Sequence, residues 1–98
     1  MNSFTFRTKV WLYHGQSAWH FISLPKMLSV KIKKMFLGLE RGFGSLPIIA
    51  RIGNTEWKTS IFPDKKAGVY LLPIKVKVRK VEEIKAGDKI LITIVILF

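Results

Sequence analysis

Two histidines and six carboxylates are the groups in this 98-residue chain best suited to acid–base chemistry. General acid–base catalysis requires two such groups brought together in a shielded site. Glu40, Glu56, Asp64, Glu82, Glu83 and Asp88 mostly sit beside a lysine or in a turn, as solvated carboxylates do. His14 and His20 flank the first turn with no carboxylate at ligand spacing, and there is no cysteine, so no zinc site is expected. Ser60, in "WKTSIFP", lacks a nucleophile elbow and a base. In "RGFGSLP", Gly42 and Gly44 fall short of the dinucleotide fingerprint, which needs a third glycine and a following helix. That loop still offers Arg41 and free backbone N–H groups to a phosphate. The expectation is a protein with no catalytic residues, no metal and no cofactor, and not an enzyme.

The charge points elsewhere. Seventeen lysines and arginines against six acids give +11, a field that attracts nucleic acid or another polyanion. The basic residues gather twice, as Lys31, Lys33 and Lys34, then as Lys75, Lys77, Arg79 and Lys80. Such clusters neutralise phosphates without reading bases, although the outer faces of helices also carry charge for solubility alone. Trp11, Trp19 and Trp57 all fall in predicted strands. Stacking on bases would need them outward beside the lysines; in a small barrel they are expected in the core.

Composition and patterning supply the elements that would position these groups. A chain this long buries one core without staples, so residues 1–98 read as a single domain, and the lack of cysteine suits a reducing cytoplasm. The start, "MNSFTFRTKVWLY", has no targeting pattern. "ILITIVILF" is about half the ~20 residues of a membrane-spanning helix, so a buried C-terminal strand and no membrane association are expected. Alternation predicts strands over 5–13, 19–24, 48–52, 55–61, 68–72 and 90–98. His14 to Ser17, Gly53-Asn54, "PDKKAG" and Gly87-Asp88 are read as turns. Met27, Leu28, Ile32, Met35 and Phe36 predict a helix over 27–37, stopped by Gly38.

Residues 74–79 read two ways. Their alternating Ile74, Val76 and Val78 favour a strand. Against that, Leu24-Pro25, Val30, Lys31 and Phe36 are matched at one constant separation by Leu72-Pro73, Val78, Arg79 and Ile84. A duplicated unit of this kind argues for a second short helix over 74–83 and for a pseudo-twofold arrangement.

The ordered string Trp19-x-Phe21-x-x-Leu24-Pro25, Ile52-Gly53, Trp57-x-Thr59-Ser60-x-Phe62-Pro63, Gly68-x-Tyr70-x-Leu72-Pro73-x-Lys75, Val78-Arg79-Lys80 and Gly87-Asp88 spans nearly the whole chain. It resembles a small prokaryotic domain of unknown function that occurs alone or beside an OmpD-associated (YdeI-type) domain. "LERGFGSLP" keeps only part of that family's glycine pattern. The resemblance implies a mainly β fold: a closed double-split β-barrel of six to seven strands, capped by two short helices and pseudo-twofold within one chain. A similar barrel is built by two chains in the swapped-hairpin domain of bacterial transition-state regulators and antitoxins, which bind DNA, but a shared fold carries no function.

Two functions are therefore open. One is a binding module for nucleic acid or another polyanion through Lys31, Lys33, Lys34, Lys75, Lys77, Arg79 and Lys80, acting as a monomer or weak homo-oligomer. The other is a small anionic-ligand or accessory domain with a pocket near Trp57 and Arg79, with Arg41 as a further contributor. Arg79 has a third expected role, buttressing the Gly87-Asp88 turn through Asp88. A continuous basic stripe would favour the first function, and a concave pocket around Arg79 the second.

Overall fold

Alternation closes the barrel. In the computed structural model, which describes residues 2–15 and 18–98, Ile90, Ile92, Ile94 and Ile96 of the last strand all point inward, while Lys89 and Leu91 face out. The strands are β1 (Ser3–Leu12), β2 (His20–Ser23), β3 (Leu46–Ile52), β4 (Thr55–Asp64), β5 (Val69–Pro73) and β6 (Lys89–Ile96). They pair antiparallel in the cyclic order β1-β2-β5-β4-β3-β6, a closed six-stranded barrel. The β1–β6 seam runs in register from Ser3↔Val95 to Lys9↔Lys89, as long as the β3–β4 hairpin. Leu46, Ile48 and Ala50 of β3, Ile61 of β4 and Leu72 of β5 complete a core that is fully withdrawn from solvent. Burying one such aliphatic side chain contributes about 1.5–3 kcal/mol. "ILITIVILF" is thus mostly one barrel strand, hydrogen-bonded on both sides. Among the described residues no helix is long and apolar enough to cross a membrane.

Each half of the chain runs strand, strand, helix, strand. Helix α1 (Lys26–Met35) follows β2, and α2 (Val76–Val81) follows β5. In α1, Ile32 and Ser29 face the barrel, with Phe36 just beyond. Lys33 and Lys34 occupy the last turn, where cations complement the helix dipole. Gly38, at φ 85°, stops the chain from continuing. Helix α1 sits over the end of the barrel where β5 begins and β4 ends, and α2 over the opposite end, where β4 begins.

The second helix expected over 74–83 is present at 76–81, which decides against the strand that the alternation of Ile74, Val76 and Val78 suggested: Ile74 and Val78 are buried while Lys75, Val76 and Lys77 are exposed. Pro73 ends β5, and the chain then turns across the barrel mouth. Two strands reach further than their alternation shows, β3 starting at Leu46 and β4 running through Pro63 to Asp64. Of the turn read at His14 to Ser17, Gln16 and Ser17 lie outside the described residues.

The tryptophans divide. Trp57 is core, but Trp19 lies just ahead of β2 and is 51% exposed. Trp11 is half-buried on the outer wall, because its neighbour Val10 takes the inward position. It donates from Nε1 to Ser23 Oγ at 3.0 Å. Trp11 and Trp19 both pack on Phe21, at ring separations of 5.1 and 5.8 Å.

Candidate functional site

Helix α2 is held to the barrel at both ends. At its start Ile74 N–H donates to His20 O at 2.8 Å, carrying the β2–β5 ladder one step past Pro73. At its end the Glu82 carboxylate accepts from Thr55 Oγ1 at 2.6 Å. Glu82 also packs against Gly53, whose φ of 57° suits glycine. Between these anchors lies a cavity of about 320 Å³, walled by Trp19 and His20 from β2 and its approach, by Trp57, Lys58 and Thr59 from β4, and by Pro73 to Val76 and Arg79 from the β5–α2 corner.

Three cationic side chains, Lys58, Lys75 and Arg79, line this cavity, and among the described residues no carboxylate does. Arg79 is half-buried. Its Nε donates to Ile74 O at 3.1 Å, which restrains the guanidinium and leaves the terminal nitrogens as a fork for a carboxylate or phosphate. Ala18 O is 3.0 Å from His20 Nδ1. A carbonyl only accepts, so Nδ1 is the donor in this contact. The arrangement can hold and orient an anion with an apolar body. Among the described residues no three His, Cys, Asp or Glu side chains gather as metal ligands.

The residues singled out from sequence are dispersed by the fold. Arg79, Trp57 and Lys75 come together at the cavity; Lys77 and Lys80 lie on exposed positions of α2. Lys31, Lys33 and Lys34 are carried by α1 at the other end of the barrel, Lys31 with its ammonium 5.9 Å from the Phe4 ring. Arg41 is not at the cavity. Its guanidinium lies over the Phe98 ring at 5.3 Å. Its loop bonds to itself: Arg41 N–H donates to Ser45 O, Gly44 N–H to Arg41 O and Ser45 N–H to Gly42 O. Arg79 does not buttress Asp88; Asp88 Oδ2 instead accepts from Lys85 N–H at 2.9 Å. In the sequence, His20 is weighed only as a zinc ligand, Thr59 appears only within the family string, and Lys58 is not singled out. Lys58 reads there as an ordinary outward strand lysine, and only barrel closure brings it to α2.

The corner at α1 is the counterpart of this site and differs in one telling side chain. There Ser29 Oγ donates to Leu24 O at 3.5 Å and accepts from Tyr70 N–H at 3.1 Å. Arg79 makes the matching bond to Ile74 O in the second half. Ser29 is buried and ties its corner shut, whereas Arg79 spans its corner and reaches the cavity. The cavity beside α1, about 380 Å³, includes Asp64 among its lysines. Asp64 caps its own turn by accepting from Lys66 and Ala67 N–H.

These observations define a class: a closed, antiparallel six-stranded barrel with a helix over each end and a cationic, tryptophan-walled cavity under the second helix. Residues 6–94 match the family model described as Domain of unknown function (DUF1905), and the chain belongs to that family. No curated protein matches the sequence.

Proposed function

We propose that this protein is a non-enzymatic, cytoplasmic binding module, a single domain whose ligand is a small anion held in the cavity between α2 and the barrel. The observation that carries this is the convergence of Lys58, Lys75 and Arg79 on one concave site with no carboxylate to neutralise them. The Ile74 carbonyl presets the Arg79 fork, so little orientational freedom is lost when an anion docks. The family resemblance supports a barrel of the double-split type. The repeated strand-strand-helix-strand order, with β2 paired to β5 and β3 to β6, supports a pseudo-twofold relation between its halves.

Binding of nucleic acid along the surface is the weaker reading. Its basic clusters sit at opposite barrel ends, not on one stripe, and its support is the net charge of +11.

The test is calorimetric titration of the protein with inorganic phosphate and with benzoate, beside an anisotropy titration with mixed-sequence duplex DNA. The expected result is saturable binding of a small anion that Arg79→Gln weakens by at least about tenfold, as loss of a charge-assisted bidentate contact implies. Duplex binding that persists at about 150 mM salt, with a steep salt dependence and no small-anion binding, would replace the pocket reading with the polyanion one.

A further inference from the structure

We infer that the anion is a nucleoside phosphate, its phosphate on the Arg79 fork and its base against Trp19. This rests on the proposed pocket and adds the ligand's class. Three cationic side chains in one lining exceed what one carboxylate balances, whereas a phosphomonoester carries about −1.5 to −2 at neutral pH. Guanidinium forks match phosphate oxygens as pairs. A bare phosphate would leave most of the cavity unfilled, since about 320 Å³ already reaches the range of sites that enclose organic ligands.

The rest of the lining suits a nucleoside. The Trp19 indole is stacked on Phe21 at 5.8 Å with the planes 23° apart, so one face is braced. About half of the residue is nonetheless exposed, and it forms part of the cavity wall. A braced, exposed indole beside a cationic fork is the pairing that holds a base and its phosphate together. His20 and Thr59 add an imidazole and a hydroxyl to the lining for polar groups of the sugar or base. The α1 corner offers an internal comparison: with Ser29 in place of the arginine it lacks the fork, and Asp64 offsets part of the charge of its lysines.

The experiment is a calorimetric titration of the intact chain with adenosine 5′-monophosphate, adenosine, inorganic phosphate and benzoate. It is repeated with Trp19→Ala, Arg79→Gln and the exposed-site variant Lys75→Ala. Urea midpoints establish that each variant is folded. Adenosine monophosphate should bind at least about tenfold more tightly than phosphate or adenosine, a step within the range of one base–aromatic contact. Trp19→Ala should erase that advantage and leave phosphate affinity unchanged. Arg79→Gln and Lys75→Ala should weaken phosphate and nucleotide alike.

Equal affinity for phosphate and nucleotide, or benzoate binding with the nucleotide excluded, overturns the inference while leaving the anion pocket standing. Failure of every anion to bind overturns both. A 5′-phosphorylated tetranucleotide separates the two sources of this chemistry. Tighter binding than the mononucleotide assigns the site to a strand end, and weaker binding assigns it to the free nucleotide; either supports the inference.

Discussion

Replacing Gly53 with alanine tests how α2 is held. The residue sits at φ 57°, and an added Cβ would run into the Glu82 carboxylate. A non-glycine residue in this left-handed region costs about 1 kcal/mol. The Glu82 side chain can swing away, but only by giving up its 2.6 Å bond from Thr55 Oγ1. A partly buried bond to a charged group is worth about 1–2 kcal/mol. The total, about 2–3 kcal/mol, corresponds to a melting temperature lower by about 10–20 °C in a domain of this size. Urea unfolding followed by tryptophan fluorescence reads it directly. The decisive comparison is the same substitution in a Glu82→Ala background, where only the backbone part, about 1 kcal/mol, should remain. If Gly53→Ala costs the same in both backgrounds, Glu82 does not act through the hairpin and the account of the anchor is wrong. Phosphate affinity should fall in the single variant too, because α2 carries Arg79.

Other perturbations probe the core, a tyrosine and the surface. Ile92 is wholly buried, so Ile92→Ala should cost about 2–5 kcal/mol and Ile92→Val about 0.5–1.5 in equilibrium denaturation. Burial, with the Glu40 carboxylate second, raises the Tyr70 hydroxyl above its ordinary 10.0. The raised value favours the protonated form in the folded state. Its contribution to stability is therefore complete below pH 10 and is lost as pH rises through the folded value. Tyr70→Phe should flatten the part of the alkaline loss that Tyr70 causes, as read by urea midpoints at about pH 9 and about pH 11. Lys33 and Lys77 are exposed and do not line the α2 cavity. Changing either to alanine should leave phosphate affinity within about twofold, whereas contacts to a polyanion would each lower the salt slope by ~1.

The barrel was legible where one side of a strand meets water. In β6 the inward isoleucines alternate with outward residues, so span and face follow from periodicity alone. Residues 76–81 were ambiguous for a physical reason: three β-branched residues at alternate positions fit a pleated strand, and six residues are too few to display a helical face. The element order of the two halves does recur, but not at the separation the Leu-Pro pairs suggest. Leu24-Pro25 and Leu72-Pro73 invite superposition, yet α1 follows Pro25 and α2 follows Lys75, so Pro25 corresponds to Lys75 and Leu24 to Ile74.

The site was half legible. Trp57 and Arg79 were singled out together, but Trp19 was read as core because an aromatic in a strand-like run has no visible sidedness until its register is known. Lys58 and His20 reach Arg79 only through the closure of β2, β5 and β4. No local spacing encodes that.

The β1–β6 seam also bears on how the fold depends on chain order. It brings Asn2 beside Phe98, with Ile96 N–H donating to Asn2 O at 2.9 Å and Asn2 Nδ2 to Phe98 O at 3.4 Å. Suppose residues 2 and 98 were bridged by a short linker and the backbone opened at the Gly53-Asn54 turn. The permuted chain would read β4, β5, α2, β6, β1, β2, α1, β3. That is still strand, strand, helix, strand, twice over, with every strand keeping both neighbours. The architecture is therefore nearly indifferent to which half is synthesised first, and the two orders would differ mainly in which barrel seam must be closed last.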